Sequence, residues 1–212
     1  MFTGLIESVC TVKSASTADG GMRLAIDLGK LAQQSKVGDS IAVNGVCLTI
    51  SQLRGSSAEF DVSGETLTKS TLGRVKASSL VNVELALKAD GRFGGHFVLG
   101  HVDGTAAIKA IDRKGQFTDI KFTAGAGLLA QMVVKGSVAV DGISLTTADV
   151  GKEGFSVSII PETLKKTTLG QAKIGDMVNI ETDIIIKTIK SAIDKILPRE
   201  KLTIERLKEL GF

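Results

Sequence analysis

The sequence predicts an all-β protein in which one small domain is written twice in tandem and followed by a helical tail. Three observations carry this: a long internal repeat, short alternating segments within each copy, and a helix-period stripe of isoleucines outside the repeat. Displacing the chain by 97 residues lays Val43-Asn44-Gly45-Val46-Cys47-Leu48-Thr49 on Val140-Asp141-Gly142-Ile143-Ser144-Leu145-Thr146. It also lays Glu65-Thr66-Leu67 on Glu162-Thr163-Leu164, and Val81-Asn82-Val83-Glu84 on Val178-Asn179-Ile180-Glu181. From 37 to 84, 18 of 48 aligned positions are identical without a gap, where unrelated sequences share roughly three at average residue usage. The expected domains are 1–97 and 98–186, with a tail over 187–212. A period this long exceeds the roughly 20–50 residues of solenoid units, so each copy should fold as a domain.

Within each copy, Ser40-Ile41-Ala42-Val43, Glu59-Phe60-Asp61-Val62 and Val81-Asn82-Val83-Glu84 alternate between apolar and polar and are bounded by Gly, Asn, Asp and Ser. That pattern reads as antiparallel strands, and several of them in under about 100 residues point to a small closed barrel or sandwich. Short helical turns are expected at 31–35 and 128–132, and at 65–72 and 162–169. In the tail, Ile185, Ile189, Ile193 and Ile196 keep helical spacing until Pro198, and Ile204, Leu207 and Leu210 resume it. Such a stripe packs on its own domain or serves self-association.

Composition removes several classes of function. With no Trp, no Tyr and only eight Phe in 212 residues, the core must be aliphatic, and a base-stacking platform for nucleic acid is disfavoured. The formal charge of +3 is spread along the chain instead of forming a phosphate-gripping patch. Two cysteines without a CxxC fit a reducing cytosol, and neither a signal peptide nor a membrane span is visible. Two histidines cannot make a zinc site without further ligands at credible spacing. The absence of GxSxG, P-loop, GxGxxG and HExxH patterns removes the common hydrolase, nucleotide-binding and zinc-protease readings.

The chemically interesting residues sit where the copies differ. Cys47 stands opposite Ser144, each two residues before a threonine, Thr49 or Thr146, on the same strand face. Lys135 replaces Gly38, Asp141 replaces Asn44 and Pro161 replaces Gly64. At the same offset His101 falls on Gly4, so the second copy gains an imidazole where the first has only backbone. His96, between the copies, reads as a structural junction residue, and Glu65-Thr66 and Glu162-Thr163 read at least equally well as helix caps.

These motifs, together with Met1-Phe2-Thr3-Gly4, Gly94-Gly95-His96 through Gly100-His101 and Thr168-Leu169-Gly170, resemble the riboflavin synthases over nearly the whole chain. The resemblance implies two tandem six-stranded antiparallel Greek-key barrels with a C-terminal α-helix holding a homotrimer, and no metal or redox cofactor. It implies a dismutation in which two molecules of 6,7-dimethyl-8-ribityllumazine exchange a four-carbon unit, giving riboflavin and 5-amino-6-(D-ribitylamino)uracil. Each site would form between the N-terminal barrel of one subunit and the C-terminal barrel of its neighbour, in a cytoplasmic enzyme that can associate with lumazine synthase. By motif, His101, Ser144 and Thr146 become the proton-handling groups of the C-terminal side, supported by Lys135 and Asp141, while Ser40, Cys47 and Thr49 line the N-terminal side. Phe2 and Thr3 resemble a mobile segment covering the site. Further contacts are expected from Gly4, Leu5 and Ile6; from Leu48; from Asp61, Val62, Ser63, Gly64, Glu65 and Thr66; and from Gly100 and Val102. The second copy would add Leu145, Ser158, Ile159, Ile160, Pro161, Glu162 and Thr163. The competing readings are a one-pocket lumazine-binding module without chemistry and a purely structural oligomer.

Overall fold

A computed structural model describes residues 1–18 and 20–196 of the chain. The first copy forms β1 (Ser8–Ala18), β2 (Gly21–Asp27), β3 (Ser40–Val43), β4 (Val46–Arg54), β5 (Ser57–Ser63), α1 (Gly64–Lys69) and β6 (Leu80–Leu85), with 3-10 turns at Gly29–Gln34 and Thr71–Arg74. The second repeats the order as β7 (Gly104–Lys114), β8 (Phe117–Ala124), α2 (Ala126–Leu129), β9 (Ser137–Val140), β10 (Ile143–Val150), β11 (Gly154–Ile159), α3 (Pro161–Lys166), a 3-10 turn at Thr168–Gln171, and β12 (Met177–Thr182). Each set closes into an antiparallel barrel with β2 beside β5 and β8 beside β11, the Greek-key crossing. The expected six-stranded architecture is present in both copies, and the helical turns fall within a few residues of their expected places.

Alternation explains the closure. Leu24, Ile26, Ala58, Phe60 and Val62 point inward from β2 and β5 and are buried, and Ile120, Phe122, Phe155, Val157 and Ile159 do the same from β8 and β11. Phe122 and Phe155 stack with ring centroids 4.8 Å apart. Apart from Cys10 and Met132, the rest of both cores is aliphatic.

The barrels dock about an approximate two-fold axis that relates the copies. Asn44 and Asp141 both adopt left-handed backbone at φ 45°. Asn44 Oδ1 accepts from Asn82 N–H at 2.7 Å, and Asp141 Oδ1 accepts from Asn179 N–H at 2.8 Å. The asparagines then cross the axis: Asn82 Nδ2 donates to the Asp141 carbonyl and Asn179 Nδ2 to the Asn44 carbonyl, at 3.0 and 2.8 Å. Gly45 and Gly142 meet on the axis, where a Cβ on Gly45 would stand 2.6 Å from Gly142 N. Phe2 seals the seam. It is fully buried with Ala42, Val98 and Ala139, and its backbone forms a two-bond bridge with Val98.

The hydrogen bonds correct the register of the repeat near its start. Gly4 O accepts from Ser144 N–H and Gly100 O from Cys47 N–H, at 2.8 and 2.9 Å. Gly4 is therefore the counterpart of Gly100, at an offset of 96, and His101 corresponds to Leu5 instead of Gly4. The same offset holds for β1 and β7, since Ser8 pairs with Val83 and Gly104 with Ile180. One extra residue between β8 and β9 restores the offset of 97.

After β12 the helix α4 (Ile184–Ile196) begins as Asp183 Oδ1 accepts from Ile185 N–H at 2.9 Å. Its polar side is tied to the second barrel by Lys187 on Asp103, at 2.9 and 3.0 Å, and by Lys190 Nζ on the Ala130 carbonyl. Ile185, Ile189, Ile193 and Ile196 are exposed by half or more, so among the described residues the isoleucine stripe does not pack on the barrels. Pro198, Ile204, Leu207 and Leu210 lie outside the described residues.

Candidate functional site

Each barrel carries a gap in its wall at the same place. The β4–β5 register runs only from Ile50 opposite Phe60 to Arg54 opposite Ser57, so Cys47, Leu48 and Thr49 lie outside it, as do Asp61, Val62 and Ser63. In the second barrel the β10–β11 register starts at Thr147 opposite Val157, leaving Ser144, Leu145 and Thr146 outside it together with Ser158 and Ile159. Strand ends that stop pairing present free backbone donors and acceptors at a sheet edge, a natural place for a planar heterocycle to hydrogen-bond. On the far side of β4, Ser40 pairs with Thr49 and Ala42 with Cys47. On β9 and β10 the equivalents are Ser137 with Thr146 and Ala139 with Ser144.

A strand-like segment from outside the barrel lies against each gap. Gly100 rests on Cys47, carrying His101 and Val102 to the first mouth, and Gly4 rests on Ser144, carrying Leu5 and Ile6 to the second. The glycines are required here. Gly4 and Gly100 have φ of +78° and +82°, and a Cβ on them would stand 2.6 Å from Ser144 Cβ and 2.4 Å from Cys47 Cβ. The structure thus brings His101 to the Cys47 mouth, where the sequence reading grouped it with Ser144 and Thr146. Hydrogen-bond register, which a sequence offset does not contain, makes the difference. The covering segment is held in this structure by the buried Phe2.

His96 occupies the second mouth. Its Nδ1 lies 2.7 Å from Ser144 Oγ, the ring is buried, and its Nε2 has no hydrogen-bond partner among the described residues. Burial pushes the imidazole pKa below its ordinary value, with the Asp183 carboxylate opposing. At neutral pH the ring is therefore uncharged, able to accept a proton at one nitrogen while the other is protonated. Among the described residues this histidine–hydroxyl pair occurs at the Ser144 mouth only. The sequence reading placed His96 as a junction residue. The signal that could have found it is Gly94-Gly95: a Cβ on Gly95 would stand 2.0 Å from Thr3 O and 3.1 Å from Ser144 Oγ, so only glycine lets the chain pass that close to the serine.

The remaining expected residues divide by position. Thr49 and Thr146 are exposed and Ser40 half-buried at the mouths. Ser63 caps α1 by accepting from Thr66 N–H at 3.2 Å, and Pro161 fills the first turn of α3. Gly64 approaches the Gly20 carbonyl closely, while Ile160 is exposed and Thr163 half-buried. Glu65 and Glu162 pair with Lys69 and Lys166 at 2.9 and 2.8 Å, both exposed, which holds their carboxyls below the usual range. Lys135 is exposed and strained, at φ 65° where the first copy has Gly38 at φ 91°. Asp141 stands on the inter-barrel axis instead of at a mouth, and burial pushes its carboxyl up to about 7. A cleft of about 480 Å³ between the turns at Thr71–Arg74 and Thr168–Gln171 reaches Asn44 and Asp141 but contains none of Ser40, Cys47, His101, Ser144 or Thr146.

Comparison with known proteins gives a consistent answer. The family model described as the lumazine binding domain matches twice, at residues 3–86 and 99–183. The riboflavin synthase of Actinobacillus pleuropneumoniae is 42% identical, with both chains covered completely, and that of Bacillus subtilis is 39% identical with the same coverage. Among solved structures, LumP complexed with 6,7-dimethyl-8-(1'-D-ribityl) lumazine superposes with a TM-score of 0.78 at 21% identity, covering 86% of this chain and 99% of that one. LumP complexed with riboflavin gives 0.79 at 22% identity over the same shares. At that identity these structures speak for the fold.

Proposed function

Because the chain belongs to the riboflavin synthase family, with its lumazine binding domain present twice, we propose that it converts two molecules of 6,7-dimethyl-8-ribityllumazine into riboflavin and 5-amino-6-(D-ribitylamino)uracil. A four-carbon unit passes from one lumazine to the other, which makes the enzyme a transferase. The observation that carries the reading is the pair of wall gaps at one register with different furnishings: Cys47 and His101 at one, Ser144 and His96 at the other. A dismutation needs two identical molecules handled differently, and two like cradles with unlike side chains provide that.

Each lumazine lies with its ring edge in the gap where β4 and β5, or β10 and β11, no longer pair with each other, against Cys47 to Thr49 with Asp61 to Thr66 in one barrel and Ser144 to Thr146 with Ser158 to Thr163 in the other. The reaction removes a proton from the acidic 7-methyl group of one lumazine and adds a nucleophile at position 7 of the other. The neutral His96 beside Ser144 forms a hydroxyl–imidazole pair able to move such a proton. Cys47 contacts the ligand of the first mouth and is the candidate nucleophile there, with His101 beside it. Lys135, close in chain to β9, reaches toward the second mouth's ligand. Asp141 supports the site through the turn that leads into Ser144.

Single mouths are half-sites, so two subunits must bring an N-terminal and a C-terminal mouth face to face. Holding two reactants in an attack geometry contributes several kcal/mol to such a reaction. The exposed isoleucine stripe of α4 supplies an apolar surface for the homotrimer. Two free cysteines fit the cytoplasm, where association with lumazine synthase would deliver the substrate.

Incubating the purified chain with 6,7-dimethyl-8-ribityllumazine and following riboflavin absorbance tests the reading. Riboflavin and the diaminouracil product should accumulate in equal amounts. Saturable lumazine binding without product would make the chain a binding module instead.

A further inference from the structure

Two buried glutamates stand at the same place in the two barrels, and neither belongs to the mouths. Glu84 on β6 and Glu181 on β12 follow fully buried core residues, Val83 and Ile180, so their side chains leave the outer face of each barrel. An outward carboxylate ought to be solvated, yet these residues are only 4% and 3% exposed. Each is covered by the segment it grips. Glu84 accepts from Thr3 N–H and Thr3 Oγ1 through Oε1, both at 2.7 Å, and from Gly4 N–H through Oε2 at 3.0 Å. Glu181 accepts from Leu99 N–H through Oε1 at 2.7 Å and from Gly100 N–H through Oε2 at 2.9 Å.

The segment gripped by one barrel is the wall of the other barrel's mouth. Gly4, held by the first barrel, accepts from Ser144 of the second; Gly100, held by the second, accepts from Cys47 of the first. We infer that Glu84 and Glu181 are crossed positioning residues: each fixes, through a two-oxygen clasp on consecutive backbone N–H groups, the ligand mouth of the opposite barrel. Glu84 sets Ser144 and its His96 partner, and Glu181 sets Cys47 and His101. The inference deepens the proposed reaction, since crossing ties the geometry of the two half-sites in one chain to each other.

A carboxylate is required because two consecutive N–H donors need two acceptor oxygens. A glutamine offers one and turns an NH2 against the second donor. The other charged groups near the clasps are Glu7 beside Glu84, and Lys187 and Asp103 beside Glu181. Burial raises both glutamate pKa values, while the backbone N–H bonds pull them down.

Native-state amide exchange on the full chain reads the crossing without depending on turnover, so it is independent of the lumazine assay. In Glu181→Gln the Cys47 amide should exchange about tenfold faster with the Ser144 amide unchanged, and in Glu84→Gln the reverse should hold, by about one lost charge-assisted bond. Glu181→Asp and Glu84→Asp, which keep both acceptors, should recover part of the protection, and in an active enzyme the Gln variants should raise KM more than they lower kcat. Faster exchange at the amide of the glutamate's own barrel, or equal change at both amides, overturns the inference. If a Gln variant loses its cooperative thermal transition, the Asp variant carries the same comparison, and equal exchange at the two amides there overturns it as well.

Discussion

Two side chains of the second copy occupy places that are costly for them, and each makes a measurable prediction. Asp141 is buried with its pKa raised from 3.8 to about 7, the cause being desolvation, while the Asn179 N–H bond opposes the shift. Its folded-state pKa lies above the unfolded value, so the folded chain binds this proton more tightly. Its contribution to stability is then fully present below about pH 4 and is lost as pH rises through about 7, on the order of 4 kcal/mol in all. Asn44 shows that a neutral amide fits the same turn and makes the same backbone bond. Asp141→Asn should raise Tm at pH 8 and flatten the fall in Tm between pH 5 and 8, read by circular dichroism; an unchanged slope would place the titration elsewhere. Lys135 pays in backbone strain, at φ 65° where Gly38 stands in the first copy. Left-handed strain in a residue other than glycine costs about 1 kcal/mol and persists where the side chain has a use. Lys135→Gly should therefore hold or raise Tm by a degree or two while lowering kcat/KM for lumazine severalfold, about 1 kcal/mol of lost ligand contact.

At the scale of elements, what the sequence made legible is what repeats or alternates. The strands around Ile41, Phe60 and Val83 alternate over enough residues to be read, and duplication doubles the evidence for each. The Ile185 to Ile196 stripe was legible as a helix because its period is 3.6. The mouths were legible as residue sets, Cys47 to Thr49 and Ser144 to Thr146, but their walls were not. Gly4 and Gly100 belong together through hydrogen bonds to the opposite barrel, and a single-residue insertion between β8 and β9 shifts the sequence offset that would have paired them. His96 lies at the junction between the copies, so comparing them carries no information about its bond to Ser144. Glu84 and Glu181 sit inside an alternating strand pattern as ordinary outward polar positions, and only the chain that lies over them makes them buried.

At the scale of the molecule, the described residues present two mouths and one apolar stripe left exposed beside the barrels, and the proposed assembly accounts for both. The two mouths of one chain lie on opposite sides of the inter-barrel axis, each walled by a segment held from the other barrel. On the proposed reaction, two lumazines meet when mouths from different subunits face each other. The stripe can supply that contact, because α4 is fastened to its own barrel through Lys187 and Lys190 on one side and leaves Ile185, Ile189 and Ile193 half exposed on the other. Burying three such side chains from each subunit contributes about 1 kcal/mol or more per residue. A charge on the stripe removes that gain and adds a desolvation cost, leaving the barrels untouched. Ile189→Glu combined with Ile193→Glu should convert a trimer into monomers by light scattering, keep the thermal transition of the barrels, and still bind riboflavin at single mouths. The same variant should lose nearly all conversion of lumazine, since proximity of the two reactants is the term removed. A monomer that turned lumazine over at the parent rate would mean that both half-sites of the reaction reside in one chain.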